Sequence, residues 1–445
     1  MTLRFGTDGV RGVANRELTP ELVTGLGRAA ARVLVADEPF LLARDTRRSG
    51  PMLEAALAAG LCAEGADVER LGVLPTPGLA FLAQGRGAPA AMVSASHNPF
   101  ADNGVKLFAP GGRKIPDAAE AEIEARLRDT VEPPTGAGAD VGELRDADHA
   151  AAVAEYVRHL TGALEGRTLD GMRVVVDCAH GAAFEAAPRV LGDLGATVAV
   201  RNAAPDGINI NASCGSTSPD ALRHAVVDAG AHAGLAFDGD ADRVLAVDER
   251  GALVDGDQML AVLALDFEAR GRLRGDAVAV TVMSNLGLRH ALTERGIGLV
   301  ETPVGDRHVL VAIEEHGLSL GGEQSGHLIC ADLATTGDGT LTGILLLDAV
   351  RRAGRPLSEL AAVVTHVPQV LRNVRVADRS DLDSAGFWDD VRSAETELGE
   401  DGRVLVRPSG TELLIRVMVE APTAETAVAV ADRLVAAVER DCGSG

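Results

Sequence analysis

Short apolar runs of four to six residues recur along this chain, and most lead through a turn-rich stretch into helix-spaced leucines and alanines. Phe40–Ala43 opens one such unit. Turn-forming residues fill 44–51, and Leu53, Ala56, Leu57 and Leu61 then align on one face of a helix predicted over Met52–Glu64. Ala90–Val93 is another short strand, ending at the hexapeptide SASHNP. Arg173–Asp177 begins a strand–loop–helix–strand pattern that continues near Thr197–Val200, through Leu235–Phe237, and into a strand over Arg243–Asp248. A third set has a helix from Asp257 through Ala269, a strand over Ala277–Val282, a helix after Ser284 and an apolar helix near Leu341–Ala353. Such alternation predicts an α/β architecture.

Beyond residue 368 the texture changes. Leu413, Ile415, Val417 and Val419 alternate with Leu414, Arg416, Met418 and Glu420, and an amphipathic helix follows over Ala424–Glu439. This predicts a half-buried strand under a covering helix, in a small α+β domain. A chain of 445 residues is too long for one core. The expected units are 1–150, 151–255, 256–367 and 368–445, three α/β and one α+β, with the Pro- and Gly-rich stretch 131–144 at a surface loop or domain edge.

Hydrophobic residues make up 46% but aromatics only 2%, so the cores must be built from Ala, Val and Leu. A net charge of −23 argues against nucleic acid, whose binding rests on Lys and Arg neutralising phosphates. A site for an anionic substrate would therefore have to be locally basic. The five cysteines show no CxxC pairing, so neither a zinc site nor a disulfide framework is expected. No apolar run approaches the ~20 residues of a membrane span, and MTLRFGTDGVRG lacks a signal-like apolar core. A cytoplasmic protein that does not enter the membrane is expected. Lysine occurs only at 106 and 114. Where arginine serves nearly every other cationic role, a lysine either marks a place for a cation that can lose its proton or stands there by chance.

The strongest chemical signal is FDGDADR, residues 237–243. In extended backbone, side chains two apart point the same way, so Asp238, Asp240 and Asp242 converge on one point. Three hard oxygen donors suit one magnesium ion, which takes a few carboxylates plus a phosphate oxygen. An EF-hand loop would use Glu249 at its twelfth position, but its sixth position would be Arg243 where glycine is needed, and both flanks read as strands.

SASHNP, residues 94–99, offers Ser96 as nucleophile. A serine oxygen must be activated, or already carry the group it transfers. A phosphoryl group on Ser96 would add the fourth ligand to the ion. Three carboxylates and a phosphate near −2 then exceed the ion's charge by about three units, so cations must close in. His97, Arg243, Arg11 and Lys106 are the candidates. In RPSGTE (407–412), Gly410 permits a bend that aims backbone N–H groups at one anion. Ser409 and Thr411 add hydroxyls there, and Arg407 a guanidinium fork. GGEQSGH (321–327) sets Glu323, Gln324, Ser325 and His327 on a glycine-flanked loop suited to sugar hydroxyls.

Together with FGTDGVRG (5–12), DNGVK (102–106), NIN and CGSTS (209–218), VDGDQ (254–258), VGDR (304–307) and TTGDG (335–339), these motifs resemble the alpha-D-phosphohexomutase superfamily, and within it the branch acting on glucosamine phosphates. The resemblance covers nearly the whole chain. It implies four domains around a central cleft, the first three related and the last a small phosphate-binding domain. It also implies Ser96 as phosphoserine, magnesium on Asp238, Asp240 and Asp242, and Glu323 and Ser325 on sugar hydroxyls. Arg407, Ser409, Gly410 and Thr411 would hold the non-reacting phosphate, and Lys106 and His327 match positions proposed for proton transfer. Preference for glucosamine would rest on Gln324.

The implied reaction converts glucosamine 6-phosphate to glucosamine 1-phosphate through the 1,6-bisphosphate, for UDP-N-acetylglucosamine synthesis. Glucosamine or glucose 1,6-bisphosphate would serve as primer, the fourth domain would be mobile, and a homodimer is possible. The alternatives are a phosphomannomutase or phosphoglucomutase, a metal-dependent phosphatase, and a non-catalytic sugar-phosphate sensor. Relatives usually have proline where Leu413 stands and often histidine where Ser218 stands.

Overall fold

A computed structural model describes residues 5–6, 9–128, 133–376, 386–408 and 413–443. They form four sheets in chain order. In the first, the parallel strands Phe40–Arg44, Val68–Val73 and Ala90–Val93 are extended at one edge by antiparallel Asp102–Ala109 and Val10–Val13. The second runs Leu253–Val254, Val244–Asp248, Ala233–Phe237, Arg173–Asp177, Thr197–Arg201, and the third Gly298–Thr302, Ala277–Thr281, Leu320–Gly322, Leu328–Cys330. The fourth is antiparallel, with Leu414–Glu420 between Gln369–Arg375 and Arg403–Pro408. Its helices are Phe387–Leu398 and Ala424–Cys442.

The helix expected over 52–64 is Gly50–Ala63, started by Pro51 in its first turn. The apolar helix near 341–353 is Gly339–Ala353, capped by the Asp338 carboxylate, which accepts from Leu341 N–H, and ended by Gly354 in a left-handed conformation. With so few aromatics, the cores are built from leucine, valine and alanine, and the largest apolar cluster runs unbroken from Leu41 in the first sheet to Val364 after the third. Tyr156 is buried within it, and its hydroxyl donates to Asp338 at 2.8 Å.

Two expectations need correction. Leu413 is 58% exposed and precedes the last strand, which begins at Leu414. That strand is also buried on both faces: Ile415, Val417 and Val419 lie in the core, while Met418 and Glu420 are buried opposite. The second face is covered because the fourth unit docks on the third. Glu420 Oε1 accepts from Leu286 N–H at 3.1 Å, and Arg403, paired with Glu420 at 2.8 Å, donates to Ser284 O at 2.9 Å. Among the described residues no helix is long and apolar enough to cross a membrane.

Candidate active site

The acidic loop is the turn of a hairpin. Phe237 pairs with Val244, leaving residues 238–243 to curl between the two strands, with Ala241 at φ 59°. Glycine is required at 239 by close approach: a Cβ there would lie 2.5 Å from Ser96 O. One carboxylate oxygen each from Asp238, Asp240 and Asp242 lie within 4.8 Å of one another. All three side chains are buried, and Oδ1 of both Asp240 and Asp242 has no hydrogen-bond partner among the described residues. Orphaned buried carboxylate oxygens are costly. A hard divalent cation is the group that three convergent oxygens fit. Glu249 turns away to bond Ser358, which removes the EF-hand reading.

Ser96 follows the strand Ala90–Val93, and its Oγ donates to Asp238 Oδ2 at 2.5 Å. Nucleophile candidate and acidic loop, separated by more than a hundred residues, are thus in direct contact. Lys106 leaves the strand Asp102–Ala109 and reaches the same loop, its Nζ donating to Asp240 Oδ2 at 2.8 Å and Asp242 Oδ2 at 3.0 Å. The other lysine, Lys114, pairs with Asp306, so both tie the first unit to another. Arg243 N–H donates to Asp238 Oδ1 at 3.2 Å, and its Nε stands 3.8 Å from Asp242 Oδ1.

These charges act unequally on the acids. Burial, with Asp242 and Asp240 nearby, pushes Asp238 well above the usual carboxylate range. Burial opposes the charge on Asp242 too, but Lys106, His327 and Arg243 outweigh it and hold that carboxyl well below the usual range. Burial, aided by Arg243 and Arg11, pushes the His97 imidazole down to about 4. His97 Nδ1 stands 3.2 Å from both Arg243 Nη1 and Ser96 Oγ, so it accepts from the guanidinium as a neutral ring. Arg11 Nη1 donates to Asn98 Oδ1 at 3.3 Å in the same loop.

The loop 321–327 borders this centre. His327 Nε2 accepts from Gly337 N–H at 3.0 Å, and its Nδ1 is 3.8 Å from Asp242 Oδ2. Val244 N–H donates to Gly326 O at 3.1 Å, which fastens the loop 321–327 to the acidic hairpin. Glu323 Oε1 accepts from Gly305 N–H at 3.2 Å, and Ser325 is exposed. Gln324 gives its amide to Asp255 at 3.2 Å. Arg407 stands opposite Arg416 across paired strands, and Nε of both is buried without a hydrogen-bond partner among the described residues. Two facing guanidiniums repel unless an anion lies between them. Ser409, Gly410 and Thr411 lie outside the described residues.

Sequence reasoning missed several supports. Thr76 Oγ1 donates to Asp240 Oδ2 at 2.6 Å, Arg47 and Asn211 donate to Ser96 O, and Asp45 accepts from Ser94 Oγ, which in turn accepts from Ser96 N–H. Arg47 had a signal, an arginine inside a turn-rich stretch just after a buried strand. Thr76 had none. Arg416 was visible as a charge within an apolar strand.

Four family descriptions match the chain in order. They are phosphoglucomutase/phosphomannomutase alpha/beta/alpha domains I, II and III over residues 2–133, 154–251 and 255–367, and the C-terminal domain over 371–437. The phosphoglucosamine mutase of Saccharopolyspora erythraea is 54% identical over 98% of this chain and 98% of its own. That of Thermobifida fusca is 54% identical over 99% of each. Among solved structures, a phosphoglucomutase/phosphomannomutase family protein of Burkholderia thailandensis superposes with a TM-score of 0.83 at 26% identity, covering 98% of this chain and 97% of that one. The Aspergillus fumigatus N-acetylphosphoglucosamine mutase shares the fold at a TM-score of 0.72 and 19% identity, covering 99% of this chain and 96% of that one. A serine set against three buried carboxylates, on four sheets each matched by its own description, makes the chain a member of the phosphoglucomutase/phosphomannomutase family.

Proposed function

We propose that this chain interconverts glucosamine 6-phosphate and glucosamine 1-phosphate, with Ser96 carrying the phosphoryl group. The carrying observation is the 2.5 Å contact of Ser96 Oγ with Asp238 inside a buried three-carboxylate loop. The substrate follows from the full-length relatives at 54% identity, which are phosphoglucosamine mutases. Asp238, Asp240, Asp242 and an oxygen of phosphorylated Ser96 would hold one magnesium ion, which when bound neutralises charge on the transferring group.

The protein's own groups do the rest. Arg243 and Arg11, with neutral His97 against Arg243 and Ser96, would set positive charge beside the transferring group. Glu323 and Ser325 orient the sugar, and Arg407 with Ser409, Gly410 and Thr411 grips the phosphate that is not reacting. In the first half-reaction the bond from phosphorus to Ser96 Oγ breaks as one forms to the substrate hydroxyl, whose proton passes to Lys106 or His327 in its neutral form. The 1,6-bisphosphate then turns over, and its other phosphoryl returns to Ser96. One fixed serine serving both ends of the sugar calls for a fourth unit that opens and closes, breaking and remaking its contacts through Arg403 and Glu420. We assign the units to 1–150, 151–255, 256–367 and 368–445, and place the enzyme in the cytoplasm.

Ser96→Ala, assayed with glucose 1,6-bisphosphate as primer, should lose turnover by at least roughly a thousandfold, as expected when a nucleophile is removed. Full activity in that variant would refute the assignment. Turnover of glucosamine 6-phosphate should exceed that of the glucose and mannose phosphates, and the reverse order would move the chain to the phosphomannomutase or phosphoglucomutase reading.

A further inference from the structure

Ser96 sits at φ 51°, a left-handed conformation that a serine adopts only where its surroundings impose it. The imposing contacts fall on two carbonyls of its turn. Ser96 O accepts from Arg47 Nη2 at 2.9 Å and from Asn211 Nδ2 at 2.9 Å. Asn98 O accepts from the same two groups, at 2.8 and 3.0 Å. Arg47 is wholly buried and also donates to Asp45 Oδ2 at 2.8 Å, to Asp102 O at 3.0 Å and to Pro99 O. It belongs to the same sheet unit as Ser96.

Asn211 does not. It comes from the loop 202–219 of the second unit, the one that bears the carboxylates. Asn211 is itself left-handed at φ 58°, with its N–H on Ala179 O at 2.9 Å. A Cβ added to Gly239 would meet Ser96 O at 2.5 Å, Ile210 Cδ1 at 2.9 Å and Asn211 Nδ2 at 3.0 Å. The serine carbonyl, the Asn211 amide and the backbone of the acidic loop are therefore packed against one another. Two further bonds fix the same boundary, Arg48 N–H to Gly207 O at 2.8 Å and Thr46 Oγ1 to His180 O at 2.6 Å.

We infer that Asn211 is a positioning residue for phosphoryl transfer. Its amide locks the Ser96–Asn98 turn of the first unit in register with the 238–242 loop of the second, so the serine oxygen faces the carboxylates before substrate arrives. The inference rests on the assignment of Ser96 above. Asn211 hydrogen-bonds the turn from behind, through its carbonyls, so its loss should slow the chemical step and leave sugar-phosphate binding alone. A misplacement of about 1 Å at a reacting group costs on the order of a hundredfold in rate.

The test uses two variants of the full chain. Asn211→Gly keeps the positive φ and removes the donor, while Asn211→Asp keeps shape and left-handed tolerance but sets a carboxylate oxygen against the two carbonyls. With glucosamine 6-phosphate, primer and saturating magnesium, both should show kcat lowered roughly 10- to 100-fold with KM within about twofold of the parent. Turnover within twofold in either folded variant would overturn the inference, as would a rise in KM matching the loss in kcat. If Asn211→Gly does not fold, Asn211→Asp decides by the same criteria, and failure of both to fold overturns it in favour of a purely structural role. Normal turnover here removes only Asn211 from the account. Only an active Ser96→Ala variant removes the mutase reading itself.

Discussion

Replacing Lys106 by methionine separates the two tasks proposed for one side chain. Its Nζ lies 2.8 Å from Asp240 Oδ2 and 3.0 Å from Asp242 Oδ2, and the residue is 1% exposed. Methionine keeps the length and the apolar stem but leaves two buried carboxylates without that cation. Breaking a buried ion pair from one side costs about 3–5 kcal/mol. At about 2–4 °C per kcal/mol, the magnesium-free melting temperature should fall by roughly 6–20 °C. A divalent ion acts on the same carboxylates, so millimolar magnesium should raise the melting temperature more in the variant than in the parent. Turnover should still fall by about 10²–10⁴-fold at saturating magnesium, because an ion restores charge and not a transferable proton. Thermal melts with and without magnesium, beside steady-state kinetics, read both effects. Equal magnesium shifts in the two proteins, with kcat within threefold, would refute the assignment of both roles.

Two further outcomes follow from the packing. Gly239→Ala places a methyl 2.5 Å from Ser96 O, so the turn must move. Turnover should drop about a hundredfold while far-UV circular dichroism stays unchanged, and an active alanine variant would show that the close approach is dispensable. Asp257, buried beside Asn285 at the junction of the third and fourth units, is pushed up to about 7 by burial, with Asp255 and Glu420 adding to the effect. The folded state keeps a proton that the unfolded carboxyl releases near 4, so Asp257 makes stability fall as pH rises from about 4 to about 7, by at most about 4 kcal/mol. Asp257→Asn should remove that slope from a melting-temperature profile, and an unaltered slope would sink the assignment.

The α/β units and the acidic loop were legible from local pattern. Small spacers act over a few residues, so FDGDADR marks a loop able to converge its acids, although 238–243 curl in a turn and are not the extended backbone expected. Burial of the last strand was less legible. Alternation along Leu414–Glu420 predicts one dry face, but Glu420 is buried as well because it meets the start of the helix Leu286–Thr293 in another unit.

The sequence by itself determined which residues could ligate an ion, carry a phosphoryl group or cradle an anion, because those capacities belong to side-chain chemistry and short-range spacing. Tertiary structure alone decided that Ser96 faces Asp238, that Lys106 spans Asp240 and Asp242, and that Thr76, Arg47 and Asn211 support them from elsewhere. Each of these contacts joins residues far apart along the chain. Such a contact depends on how whole sheets pack, and no local periodicity encodes it.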